Sequence, residues 1–120
     1  MSAFIRGEVW ALNFDPSVGS EMKKIRPAVV ISDQNIGKLP LRIVVPITEW
    51  DPRFASYPWF VHLLPNKNNG LTKESGADAF SVKSLSERRF VRKLGQLTDN
   101  EVEEIAAAIA LCVGFSIPGA

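Results

Sequence analysis

Apolar and polar positions alternate from Glu8 to Phe14, with Trp10, Leu12 and Phe14 falling on one side, the pattern of a strand with one face buried. Ala28 to Ile31 is instead an unbroken apolar run, which suits a strand covered on both faces. Leu41 to Thr48 forms a further apolar strand interrupted by Pro46. A proline has no N–H to give to a ladder, so this strand is expected at an edge or a bulge, with irregular backbone freeing groups near Thr48 for a ligand. Trp59 to Leu64 reads as the next strand, closed by Pro65 and the Asn66–Gly70 turn, whose residues tolerate left-handed backbone. Ala77 to Leu85 and Arg89 to Gly95 read as two more short strands. The period then changes. Val102, Ile105, Ala106, Ile109, Cys112 and Val113 recur at helical spacing, Thr98 with Glu101 forms a capping box, and Gly114 follows as a stop. The predicted architecture is mainly β with one terminal helix, an α+β fold: a small, strongly bent barrel of five to seven mostly antiparallel strands, capped by a C-terminal α-helix.

Two stretches escape this periodicity. From Pro16 to Arg26 the chain has no repeat and carries Gly19, Ser20, Lys23 and Lys24, so it reads as a long loop between two strands. Pro27 fixes its own φ and pushes Arg26 into an extended conformation, which places Arg26 where the loop becomes sheet. If the strands after Arg26 and before Thr48 are neighbours, a guanidinium and a hydroxyl meet at one rim. The second stretch, Trp50 to Pro58, carries Phe54 and Tyr57, more aromatic surface than a solvated loop needs, and is expected in part to pack against a partner.

At 120 residues the chain is expected to form a single domain over residues 1–120, long enough for one modest core. With 46% hydrophobic and 22% charged residues it falls among globular proteins. No apolar run approaches a membrane span and no secretory leader is visible, so no membrane is expected and the cytoplasm is the default compartment. The lone Cys112 cannot form an internal disulfide and sits on the apolar helix face, where a thiol acts as a small hydrophobe. The net charge of +1 gives the whole molecule little pull on a polyanion. Its distribution is more informative. Lys83 to Lys93 holds five basic residues and one acid, while Thr98 to Glu104 holds four acids. This marks either local basic surface or solvated charge on sheet edges.

Gly7-Glu8-Val9-Trp10, Phe14-Asp15-Pro16, Val18-Gly19-Ser20-Glu21, Arg26-Pro27-Ala28-Val29-Val30-Ile31-Ser32, Val44-Val45-Pro46-Ile47-Thr48, Gly70-Leu71 and Gly95-Gln96-Leu97 occur in an order that resembles the MazF/PemK/Kid toxins. The likeness runs from about Arg6 to Phe115. It implies an SH3-like barrel with a terminal helix, a homodimer, and a ribosome-independent endoribonuclease that cuts single-stranded RNA without a metal or other cofactor. It also implies a cognate antitoxin that covers the RNA groove. By position, Arg26 matches the family's catalytic arginine and Thr48 its catalytic hydroxyl. Glu21, Lys23 and Lys24 fall in the loop flanking the site, where Glu21 either orients Arg26 or simply occupies the loop. Ser81 and Lys83 stand where relatives contact RNA. At Ser81 the family often has glutamine, so no recognition sequence is carried over.

Attack by a ribose 2′-hydroxyl needs charge stabilisation on a crowded phosphorane and alignment of the entering and leaving oxygens. Arg26 offers a fork of donors matched to phosphate oxygens, and Thr48 a hydroxyl for the same group. A guanidinium with a pKa above about 12 is a poor base, so its expected role is electrostatic. His62 alternates with Phe60 and Leu64 in a strand and has no second histidine, which points to a structural role. Trp10 and Trp59 are expected in the core or a dimer contact. Two rivals remain: a non-enzymatic gyrase-binding toxin of the same fold, and an RNA-binding module that does not cut.

Overall fold

The computed structural model describes residues 4–14, 25–37 and 40–116. Seven strands, β1 (Glu8–Asn13), β2 (Ile25–Val30), β3 (Leu41–Glu49), β4 (Phe60–Leu63), β5 (Ser75–Asp78), β6 (Lys83–Ser86) and β7 (Phe90–Gln96), precede one helix, α1 (Asp99–Cys112). The strands form one antiparallel sheet in the order β4-β5-β3-β2-β1-β7, with β6 also paired to β3. The expected antiparallel sheet with a terminal helix is therefore what the chain forms.

β3 is the hub. On one side it pairs with β2, Val30 opposite Val44 through Ala28 opposite Pro46. On the other side its first half, Leu41 to Val44, pairs with β6, and its last three residues, Ile47 to Glu49, pair with β5. Pro46 falls between these two partners. The expected edge or bulge is thus replaced by a handover: a central strand tolerates the proline because its missing N–H lies where neither β6 nor β5 is paired. Nor does the strand end at Thr48, which lies opposite Gly76 of β5.

The predicted Ala77–Leu85 strand is two strands. Asp78 ends β5 by accepting the Phe80 N–H at 3.2 Å and the Ser81 hydroxyl at 2.8 Å, which winds Ala79–Ser81 into a 3₁₀ turn before β6 begins. This local hydrogen bonding sends β5 and β6 to opposite halves of β3.

Side chains alternate into two cores. Val9, Val29, Val45 and Ile47 meet Val102, Ile105 and Ala108 of α1 on one face. Leu12, Ala28, Val30 and Val44 meet Phe4, Trp10, Phe14 and Phe90 on the other. The unbroken apolar run of β2 is therefore covered on both sides, as its composition predicts. The capping box at Thr98 and Glu101 is formed. Val113 departs from the predicted apolar face, being 75% exposed, because α1 ends at Cys112 and Gly114 turns the chain away at φ 75°. Ala108 takes a buried place on that face.

The Trp50–Pro58 aromatics pack on their own chain. A 3₁₀ turn at Pro52–Ser56, capped by Asp51, lays Phe54 flat on Phe60 at 3.8 Å, while Tyr57 stacks on Trp59 at 4.9 Å. Trp50 stacks on His62 at 3.9 Å, and His62 also bonds Glu74, a structural setting for the histidine. None of the helices is long and apolar enough to cross a membrane among the described residues.

Candidate active site

The register that binds β2 to β3 stops short. One step past Ala28 and Pro46 it would set Pro27 opposite Ile47, and Pro27 has no N–H to continue the ladder. From there the strands part. The residues beyond the last pair, Ile25 to Pro27 and Ile47 to Glu49, become two walls of a cavity of about 900 Å³. Arg26 is exposed and Thr48 half-buried in these walls.

The Gly70–Lys73 segment and Ser75 supply a third wall, and Arg92 and Leu94 of β7 a fourth. Two glycines hold the third wall against the fourth. Gly70 has φ 71°, and a Cβ there would collide with the Leu94 carbonyl; a Cβ on Gly95 would strike the backbone of Asn68 and Asn69. Wholly buried Asn69 locks the turn. Its amide donates to the Leu64 carbonyl at 2.9 Å, and its side-chain oxygen accepts the Leu71 N–H at 3.0 Å. The family-like Gly70-Leu71 and Gly95-Gln96-Leu97 segments are thus two sides of one close backbone contact that sets Thr72 and Lys73 at the cavity.

The charge of the cavity is basic. Arg26, Lys73 and Arg92 line it with one acid, Glu49, which Lys73 engages at 3.2 Å. Among the described residues, neither Arg26 nor Arg92 has an acidic side chain within ion-pair distance. Four cations elsewhere are held in ion pairs: Arg42 to Glu87 at 2.9 Å, Arg53 to Asp51 at 2.9 Å, Arg6 to Glu103 at 3.3 Å and Lys93 to Glu8 at 3.0 Å. The basic run from Lys83 to Lys93 is accordingly split, with Lys93 committed to Glu8, Arg89 donating to the Asn13 carbonyl and Arg92 turned to the cavity. Burial alone would raise the carboxyl of Glu8. Bonds from the Trp10 indole, Lys93 and the Ile5 amide, together with the Lys93 charge, outweigh burial and hold it below its usual range.

Arg26 and Thr48 come together in this one cavity, as the sequence predicts. Ser81 and Lys83 do not line it: Ser81 bonds Asp78 within its turn, and Lys83, opposite Val44 on the other half of β3, lies over the Phe14 ring at 5.3 Å. Glu21, Lys23 and Lys24 lie outside the described residues, as does most of the predicted loop from Pro16 onward. Thr72, Lys73 and Arg92 are cavity residues that the sequence reading did not single out. Arg92 stood inside the noted basic run, but only the pairing of β7 with β1 separates it from Lys93. Among the described residues no three His, Cys, Asp or Glu side chains gather to hold a metal ion.

The model of the PemK-like, MazF-like toxins of type II toxin–antitoxin systems matches residues 5–113. A relative from Mycobacterium tuberculosis, endoribonuclease MazF9, is 32% identical over 112 residues, 88% of this chain and 92% of its own length. A crystal structure of MazE–MazF from Deinococcus radiodurans superposes with a TM-score of 0.71 at 27% identity, over 96% of this chain and 100% of that one. A mycobacterial endoribonuclease in complex with its cognate antitoxin superposes at 0.72 with 21% identity, over 97% of this chain and 100% of the other, a likeness of fold. The chain belongs to the PemK-like, MazF-like toxins of type II toxin–antitoxin systems.

Proposed function

We propose that this protein is the RNA-cleaving toxin of a toxin–antitoxin pair, a metal-independent, sequence-specific endoribonuclease that acts on single-stranded RNA in the cytoplasm. The observation that carries this reading is the meeting of Arg26 and Thr48 in one open, basic cavity at the parted ends of β2 and β3. The endoribonuclease relative and the structures with antitoxins support the same assignment. The protein works as a homodimer, and its cognate antitoxin inhibits it by covering the cavity.

In the reaction, the ribose 2′-oxygen bonds to phosphorus, the bond from phosphorus to the 5′-oxygen breaks, and the proton lost at the 2′-hydroxyl is balanced by one gained at the departing 5′-oxygen. The products are a 2′,3′-cyclic phosphate and a 5′-hydroxyl. Arg26 stabilises the charge on the non-bridging oxygens with its planar fork, and Thr48 adds a hydroxyl bond to the same phosphate. The arginine acts through charge, since its guanidinium does not give up a proton near neutrality. Independence from metal is part of this reading, with the Arg26 guanidinium, which lines the cavity, as the cation that meets the phosphate.

The test is incubation of the purified protein with a long single-stranded RNA in excess EDTA, with both new ends identified. Discrete cuts ending in cyclic phosphate and 5′-hydroxyl are expected. Loss of cutting in the chelator, restored by added divalent metal, would overturn the metal-independent reading; RNA that is bound but never cut would overturn the enzyme.

A further inference from the structure

We infer that Arg92 is a second phosphate-binding residue of the cavity, holding a further phosphate of the RNA strand that Arg26 engages. The inference rests on the RNA-cleaving reading for its ligand and on the sheet for its geometry. β1 lies between β2 and β7, with Leu12 opposite Arg26 on one side and Ala11 opposite Arg92 on the other. Two strand spacings put the two arginine backbones about 10 Å apart, and both residues line the same cavity. Leu12 and Ala11 face opposite sides of β1, so what brings the two arginines to one RNA strand is the cavity that both of them line.

Its charge environment separates Arg92 from Lys93, the next residue of β7. Lys93 is committed to Glu8 and Arg42 to Glu87, whereas Arg92 has no acidic partner within ion-pair distance among the described residues. It is exposed, and it lines the cavity together with Leu94 of the same strand. Lys73, the other added cation, is partly neutralised by Glu49. Among the described residues, Arg26 and Arg92 are therefore the cavity cations without an acidic partner. A guanidinium is suited to this task because its fork takes two oxygens of one phosphate.

The experiment measures binding apart from cleavage, with a pool of short, mixed-sequence 2′-O-methyl RNAs that have no free 2′-hydroxyl to attack. Wild type, Arg92→Gln and Arg92→Lys are titrated over a range of salt, beside Arg88→Gln as a control for an exposed arginine outside the cavity. Arg92→Gln is expected to bind about tenfold more weakly at low salt. Its slope of log affinity against log salt should fall by about 0.7, the value for one lost contact to a single strand. Arg92→Lys should keep the slope while losing part of the affinity, and Arg88→Gln should match wild type. Equal slopes for wild type and Arg92→Gln would overturn the assignment, as would an equal fall in Arg88→Gln. Cleavage of unmodified RNA, measured in parallel, keeps the two readings apart: wild type that binds without cutting removes the nuclease while the Arg92 contact stands or falls on its slope.

Discussion

The two halves of β3 carry the same kind of sequence and end differently. Leu41 to Val44 is paired along its length with β6 and meets β2 at Val44, and its Arg42 is held by Glu87. Ile47 to Glu49 keeps β5 on one side but loses β2 on the other, and there Arg26 and Arg92 have no acidic partner among the described residues. Two prolines explain the contrast. Pro46 sits where the strand changes partners, and Pro27 withholds the N–H that would have carried the β2 ladder past Arg26. A sheet that cannot close at one end leaves a cavity, and Arg26 and Arg92 line it. The difference teaches that the site is made by stopping the pairing as much as by placing the functional groups.

The comparison can be broken most severely through the backbone that braces the open half. Gly95→Ala forces a methyl into the Asn68–Asn69 backbone, so the turn carrying Thr72 and Lys73 must shift. The expected cost is about 3 kcal/mol, read as a lower midpoint in denaturant, with cleavage falling alongside. Next in size, Thr48→Val keeps the shape of a half-buried side chain and removes its hydroxyl. Cleavage should drop about tenfold to a hundredfold in single-turnover assays while the unfolding midpoint stays near that of wild type.

At the closed half the same kind of change should read only in stability. Arg42→Gln removes a partly exposed ion pair and should cost about 1 kcal/mol or less, leaving the cleavage rate alone. Glu8 gives a pH-dependent version of this contrast. Its carboxyl titrates lower in the folded protein than its ordinary value of 4.5, so the stability it contributes is full above that value and is lost as pH falls through the lowered one. Thermal unfolding of Glu8→Gln across that acid range should show a weaker pH dependence than wild type.

Much of this was legible in the chain. The both-sided burial of β2 followed from an unbroken apolar run, and the helix start from Thr98 and Glu101, because each depends on neighbours in sequence. Pro46 announces a missing donor and so predicts an edge or a bulge; which side of the strand needs that donor depends on β5 and β6, far away in the chain. Asp78 hid the break between those strands, since its capping bonds form only once the turn exists. The site was legible in the same uneven way. Arg26 and Thr48 were marked by adjacent prolines and by resemblance, whereas Arg92 and Lys73 reach the cavity through the β1–β7 register and the Gly70–Gly95 contact. The packing of the aromatic stretch from Trp50 to Tyr57 within the chain was not legible, because its stacking partners, Trp59, Phe60 and His62, come later in the sequence.

The central claim is that the guanidinium of Arg26, standing at the parted end of the sheet, stabilises the transition state of RNA cleavage. The measurement that tests it most directly is single-turnover cleavage of one long single-stranded RNA in EDTA by wild type, Arg26→Ala and Arg26→Lys, with thermal unfolding of each. The account predicts that Arg26→Ala loses at least about a hundredfold to a thousandfold in rate, that Arg26→Lys recovers little because the fork is gone, and that all three unfold alike since the residue is exposed. A folded Arg26→Ala protein that cuts at the wild-type rate would contradict it.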